Sequence, residues 1–241
     1  MSRRADHLPP LKRVGHKGAD HVSPGNTLAS FQAALEHGVD MIEFDVLRLR
    51  DGRLVLAHDY EDGERPDALT LDEGLDHFAG EAYADVELNV DLKLPGYERE
   101  VVDGLSANGL SERALISTHY LESLDLIGRL DSRQRRGLSV PRLTSDPTKS
   151  PWKRPVALAV AVVARRLIPI RAARMIRAGR FEALMAHWRL VSPQLVHAVH
   201  GAGGQLYVWT VDDARQIEQL SALGVDGVIS NDPRLFGQSS S

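Results

Sequence analysis

Eight short apolar runs, separated by stretches of helical period, recur along almost the whole chain, and this alternation constrains the fold more than any other feature. Strands are predicted at 12–15, 41–46, 86–92, 114–117, 137–140, 183–186, 205–210 and 227–229. Helices are predicted at 27–37, 71–78, 97–107, 121–130, 156–178, 193–199 and 214–223. In the first helix Leu28, Phe31 and Leu35 share a face, Asn26 is placed to cap the start, and Gly38 ends it. Repeated βα units imply a parallel sheet. Eight of them within 241 residues match an α/β fold of the (β/α)8 TIM-barrel type. A doubly wound open sheet is the alternative, but it has no use for eight units and usually carries a glycine-rich phosphate turn that this chain lacks. One segment breaks the pattern. Asp51-Gly52 sits between two extended runs, a hairpin signal that returns His58 and Asp59 toward the end of strand two. With the acidic stretch 60–85 it forms a small insertion, about 47–85. No linker divides the chain, so residues 1–241 are expected to form one domain.

Composition narrows the function classes. A net charge of −4 exerts no global attraction for nucleic acid. The absence of cysteine leaves no disulfide framework and no thiol nucleophile. No apolar run reaches the length of a signal peptide or a membrane span, so the expected location is cytoplasmic.

The chemistry centres on Glu43 and Asp45 in the run 41–46. Side chains at i and i+2 leave a strand on one face, so the two carboxylates stand side by side. Two options exist: both acids reach solvent or arginines at the strand mouth, or a hard divalent cation sits between them. In a barrel of this type active sites lie at the C-terminal strand ends. His16, Asp91, Lys93, Ser117, His119 and Trp209 all fall near such ends, and the hairpin brings back His58. Glu43, Asp45 and Asp91 offer oxygen ligands that suit Mg2+ or Ca2+ better than zinc. His16 and His58 can work as base and acid on either side of a phosphodiester, with Lys17 and Lys93 as point charges for its oxygens. His119 and Trp209 either line the pocket or pack, and Glu87 is expected at the far end of its strand.

These residues carry a resemblance. His16-Lys17-Gly18, Pro24-Gly25-Asn26-Thr27-Leu28, Glu43-Phe44-Asp45, Asp51-Gly52 and His58-Asp59 resemble the glycerophosphodiester phosphodiesterase family. So do Asn89-Val90-Asp91-Leu92-Lys93, Ile116-Ser117, Val208-Trp209-Thr210-Val211 and the stretch Gly224–Ile229. The resemblance implies a (β/α)8 barrel with a small insertion after strand two. It implies His16 and His58 as the acid/base pair, Glu43, Asp45 and Asp91 around a divalent cation, Lys93 on phosphate, and Trp209 in the substrate wall. It further implies glycerophosphodiester hydrolysis to glycerol 3-phosphate and an alcohol through a cyclic phosphate, the substrate's own hydroxyl being the nucleophile. Three positions depart from the family pattern: Lys17 replaces an arginine, Gly25 a glutamate, and Asp91 a glutamate. They motivate an alternative, a weakened barrel that binds a phosphorylated ligand without hydrolysing it.

The segment 149–180 is basic and helical, with no acidic residue from Pro147 to Phe181 and a predicted break at Pro169. It is either an outer barrel helix with a solvated basic face or a peripheral contact with anionic membrane. The latter would suit a lysophospholipase D-type hydrolase. Nucleic acid is not expected as a partner.

Overall fold

A computed structural model of the protein describes residues 10–142 and 154–237, with side chains left out at 154–165. The chain opens with β1 (Lys12–Gly15), α1 (Leu28–Glu36), β2 (Met41–Arg48) and β3 (Leu54–Val55), followed by α2 (Tyr60–Gly63) and α3 (Leu71–Phe78). Next come β4 (Glu87–Leu92), α4 (Glu98–Ala107), β5 (Ala114–Thr118), α5 (Leu121–Leu130), β6 (Arg135–Val140) and α6 (Arg154–Arg177). It finishes with β7 (Ala183–His187), α7 (Pro193–His200), β8 (Gln205–Trp209), α8 (Ala214–Leu223) and β9 (Gly227–Ser230). The sheet order is β1-β9-β8-β7-β6-β5-β4-β2-β3, and β1 also pairs with β2. Eight parallel strands therefore close on themselves into the expected (β/α)8 barrel, with β3 added antiparallel to the end of β2.

The hairpin forms as the Asp51-Gly52 signal predicts. Gly52 has φ 94°, open to glycine without cost, and Leu49 and Arg53 share the turn bond. Pairing of Leu47 and Arg48 with β3 extends β2 two residues beyond its expected end. Two local expectations are corrected. The cap of α1 is Thr27, whose hydroxyl accepts from Ser30 N–H while the Ser30 hydroxyl accepts from Thr27 N–H, and Asn26 turns inward instead. Pro169 does not break α6, which runs through it as one helix. Pro169 is buried, and a proline costs the helix one backbone donor. Lys149 and Lys153 of the basic segment lie outside the described residues.

Alternation along each strand sorts the side chains. Outward residues such as Ile42, Phe44, Val46, Leu88, Val90 and Ile116 join the main core beneath the helices. Phe44 stacks on Phe78 of α3 at 5.1 Å and meets Phe31 of α1 at 6.1 Å. That anchorage fixes the face on which Glu43 and Asp45 must point. Inside the barrel, the bottom layer is ionic. Glu87 pairs with Lys12 and, at 2.7 Å, with Arg135, which reaches Gln205 at 3.2 Å. Glu87 thus sits at the far end of its strand, as expected. Above it Val14, Met41, Leu115, Ala183, Met185, Tyr207 and Ile229 form an apolar plug, none more than 3% exposed. The polar top layer rests on this plug.

Tyr97 ties the mouth together. Its buried hydroxyl donates to Val46 O at 2.7 Å and accepts from Leu94 N–H at 3.0 Å, joining the ends of β2 and β4. Tyr97→Phe is expected to destabilise by about 1–2 kcal/mol, because Leu94 N–H loses its partner while Val46 O keeps only the Lys93 N–H. Urea unfolding should show a lower midpoint with an unchanged slope.

Candidate functional site

Parallel register sets the site. Asp45 of β2 lies beside Asp91 of β4, which lies beside Ser117 of β5, while Glu43 lies beside Asn89. Oxygen atoms of Glu43, Asp45 and Asp91, all buried, come within 4.8 Å of one another. Lys93 places its ammonium 2.5 Å from Asp45 Oδ1 and 2.8 Å from Asp91 Oδ2. Ser117 donates to the other Asp91 oxygen at 2.7 Å. His16 follows β1, with Nε2 3.8 Å from Glu43 Oε2. His16, Glu43, Asp91, Lys93, Ser117 and His58 line one cavity of about 350 Å³, with Asp45 buried behind them, and its opposite wall includes His119, Ser139, Met185, His187 and Trp209.

The first loop is shaped for this cluster. Lys17 and Asn26 both adopt positive φ, 50° and 57°, a conformation that non-glycine residues hold only where surroundings impose it. The turn aims Lys17 N–H at Glu43 Oε2, 2.8 Å away, and the Asn26 amide at Asp45 Oδ2, 2.9 Å away. Asn26 also accepts from Asp45 N–H at 3.1 Å. The Lys17 ammonium itself does not join the cavity. It lies 3.6 Å from Asp20 in a separate hollow beside Gly25 and Arg65, so what Lys17 brings to the cluster is its backbone N–H. Gly25 is required there, since a Cβ would come within 2.7 Å of both Asp20 and Lys17.

Burial dominates the electrostatics. It pushes the Glu43 carboxyl well above the ordinary value, and the neighbouring Asp45 charge adds to the shift. Burial acts on Asp45 too, but Lys93, His16 and His58 outweigh it and hold that carboxyl below the usual range. Lys93 stays charged despite burial because Asp45, Asp91 and Glu43 surround it. Burial lowers His16, against the pull of Asp45. Asp45 Oδ1, although close to Lys93, makes no hydrogen bond of sound geometry, and Asn89 Oδ1 has no partner among the described residues. An excess of buried carboxylate with oxygen lone pairs left over fits a hard divalent cation.

Sequence reasoning missed a chain of residues behind His16. Its Nδ1 lies 2.5 Å from Asn231 Oδ1, and Asn231 donates through Nδ2 to Asp212 Oδ2 at 2.7 Å. Only closure of the barrel between β9 and β1 brings these residues together. His58 stands at the mouth, half exposed, with Nδ1 3.6 Å from Asp59, and Asp59 caps α2 through Asp62 N–H. Trp209 lines the cavity with its indole N–H donated to Met185 O at 2.9 Å.

Residues 16–73 and 97–235 match the family described as "Glycerophosphoryl diester phosphodiesterase family". The chain belongs to this family. The matched stretches contain His16, Glu43, Asp45, His58 and Trp209 and leave out 74–96, where Asp91 and Lys93 lie. A relative named glycerophosphodiester phosphodiesterase, from Caldanaerobacter subterraneus subsp. tengcongensis, is 27% identical, covering 91% of this chain and 93% of its own. The solved structure of a glycerophosphodiester phosphodiesterase from Parabacteroides distasonis has the same fold, with TM-score 0.69 and 18% identity over 92% of each chain. An Oleispira antarctica phosphodiesterase, solved in complex with the product sn-glycerol-3-phosphate, aligns with TM-score 0.66 and 22% identity over 94% of each chain.

The raised Glu43 value has a thermodynamic consequence. In chelator the native state keeps a proton that the unfolded chain releases above the ordinary value of 4.5, so this group's contribution falls as pH rises through the native value. The slope is expected to reach at most about 1.4 kcal/mol per pH unit. Thermal unfolding followed upward from the ordinary carboxylate range should show it in wild type with chelator. Glu43→Gln should flatten it and remove most of the stabilisation that added Ca2+ or Mg2+ gives the wild type.

Proposed function

We propose that this chain is a metal-dependent hydrolase of glycerophosphodiesters, releasing glycerol 3-phosphate and an alcohol. The observation that carries the reading is the trio of buried carboxylates within 4.8 Å of one another, with His16 beside them. The names of its relatives point the same way.

Glu43, Asp45 and Asp91 would hold Mg2+ or Ca2+, and the cation would offset phosphate charge and ease ionisation of a bound hydroxyl. The protein's own groups do the rest. Asn231 Oδ1 can only accept, so His16 carries its proton on Nδ1 and the neutral ring presents the Nε2 lone pair to the cavity. His16 therefore takes the proton of the substrate hydroxyl next to the phosphate. That hydroxyl attacks phosphorus and closes a cyclic phosphate. His58, at the solvent side, gives a proton to the departing alcohol oxygen. Water then opens the ring with the two histidines in exchanged roles. Lys93, fixed by Asp45 and Asp91, sets a positive charge against the phosphate oxygens. Trp209 and Met185 give the cavity an apolar wall.

His16→Ala is expected to lower kcat/KM by about 10²–10⁴-fold. Glu43→Ala should remove the dependence on added cation together with the activity. The assay is release of glycerol 3-phosphate from a panel of glycerophosphodiesters with Mg2+, Ca2+ or Mn2+. Cation-dependent turnover that survives both substitutions would refute the assignment, and wild-type binding of glycerol 3-phosphate without turnover of any diester would favour a barrel that only binds.

One feature favours a second property, peripheral contact with anionic membrane. On α6, Leu167 is 40% and Ile170 68% exposed, among the exposed Arg166, Arg171 and Arg174. Apolar side chains within a cationic face suit the headgroup region of anionic lipid. The protein is expected to sediment with phosphatidylglycerol-containing vesicles and not with pure phosphatidylcholine, and Ile170→Glu should weaken that retention. Equal behaviour on both vesicles would refute it.

A further inference from the structure

The two sides of the cavity differ in chemistry. The side built by β1, β2 and β4 carries His16, the carboxylates and Lys93. The side built by β5 to β8 carries His119, Ser139, Met185 and Trp209. In an eight-strand ring ordered β1-β2-β4-β5-β6, the strand diametrically opposite β1 is β6. His119 follows β5 and bonds to β6, its Nδ1 lying 2.9 Å from Ser139 O. The imidazole therefore stands across the cavity from His16.

That bond fixes what His119 offers. A carbonyl oxygen only accepts, so Nδ1 carries the hydrogen, and the Nε2 of the neutral ring is an acceptor. Nε2 has no hydrogen bond among the described residues, and His119 lines the cavity. Trp209 supplies an apolar neighbour rather than a donor. Its N–H is already given to Met185 O, and its ring meets His119 at 6.3 Å and 74°. The far wall thus sets the His119 acceptor beside the apolar surface of Trp209, Met185 and Pro141, with Ser117, Ser139, His187 and Thr210 as its other polar residues.

The direction of the reaction decides what meets that acceptor. Attack on phosphorus is in line, so the leaving oxygen departs opposite the attacking one. With His16 drawing the proton from the attacking glycerol hydroxyl at β1 and His58 at the mouth giving one to the leaving oxygen, the β1, β2 and β4 side is taken up by reacting groups, and the wall left for the substituent beyond the leaving oxygen is that of β5 and β6. We propose that His119 is a specificity residue that accepts a hydrogen bond from a hydroxyl of the leaving alcohol, so that diesters of polyols such as glycerol or inositol are preferred over the choline diester. A quaternary ammonium has no hydrogen to donate and leaves the acceptor unpaired. A polyol satisfies it and can also engage Ser139. This inference rests on the hydrolytic reading with His16 as base.

The test compares kcat/KM of glycerophosphoglycerol, glycerophosphoinositol and glycerophosphocholine for the wild type, His119→Phe and His119→Gln, with cation saturating. Wild type is expected to favour the two polyol diesters. His119→Phe keeps the ring and loses the acceptor, and should cost about tenfold on the polyol diesters with less than about twofold on the choline diester. His119→Gln, which retains an acceptor, should recover part of the loss. An equal fall on all three substrates would assign His119 to the shared glycerol phosphate or to structure and overturn the inference, as would no fall on any. A wild-type preference for the choline diester would overturn it while leaving hydrolysis intact. Turnover of none of the three would overturn the hydrolytic reading itself.

Discussion

The contact of Lys93 with Asp45 and Asp91 is the interaction on which the site depends. Three carboxylates buried within 4.8 Å are mutually repulsive, and burial weakens the screening between them. The ammonium between two of them is what allows the cluster to stand inside a folded barrel. It does not neutralise the set. The remaining strain surfaces at Glu43, whose carboxyl is forced toward its protonated form. A dication would cancel the residual charge of the three acids and the lysine. The same excess that makes the cation-free cluster costly is therefore what gives it affinity for a cation. The outward face of β2 contributes equally. Phe44, clamped between Phe31 and Phe78, holds the strand in the one register that keeps both acids inside.

The fold was legible because the barrel is a repeat of local units. Each predicted strand and helix depended on periodicity within a dozen residues, and α3, α5 and α8 fall on the predicted bounds. Errors arose where tertiary contacts outrank local preference. Pairing with β3 lengthens β2. Asn26 resembles a helix cap by type and position, yet burial beside Asp45 gives its amide a better use, and Thr27 takes the cap. A proline in the middle of α6 reads as a break, but the helix runs through it and buries Ala172 and Ile176 in the core just beyond.

The site was legible only in part, for a related reason. Glu43, Asp45, Asp91, Lys93, His16 and His58 sit at fixed offsets within strands or follow them directly, so alternation places them on one face at one end. The rest needs ring closure. Asn231 lies 215 residues from His16 in sequence, and nothing in its own neighbourhood marks it as more than a turn residue. Asp212 is one step further removed. Lys17 differs. Its charge and its place beside His16 suggested a phosphate ligand, whereas the strained loop turns its ammonium to Asp20 and leaves the backbone N–H as the useful group.

The apolar plug beneath the carboxylates makes the barrel a cup rather than a tube. Val14, Met41, Leu115 and Tyr207 seal it midway, and the Lys12, Glu87 and Arg135 network closes the base. All traffic shares one opening: a molecule entering and each molecule leaving pass the same rim of loops. The residence of whichever fragment is held more tightly then governs when the next can enter. The loops at that rim can also change without disturbing the sealed half.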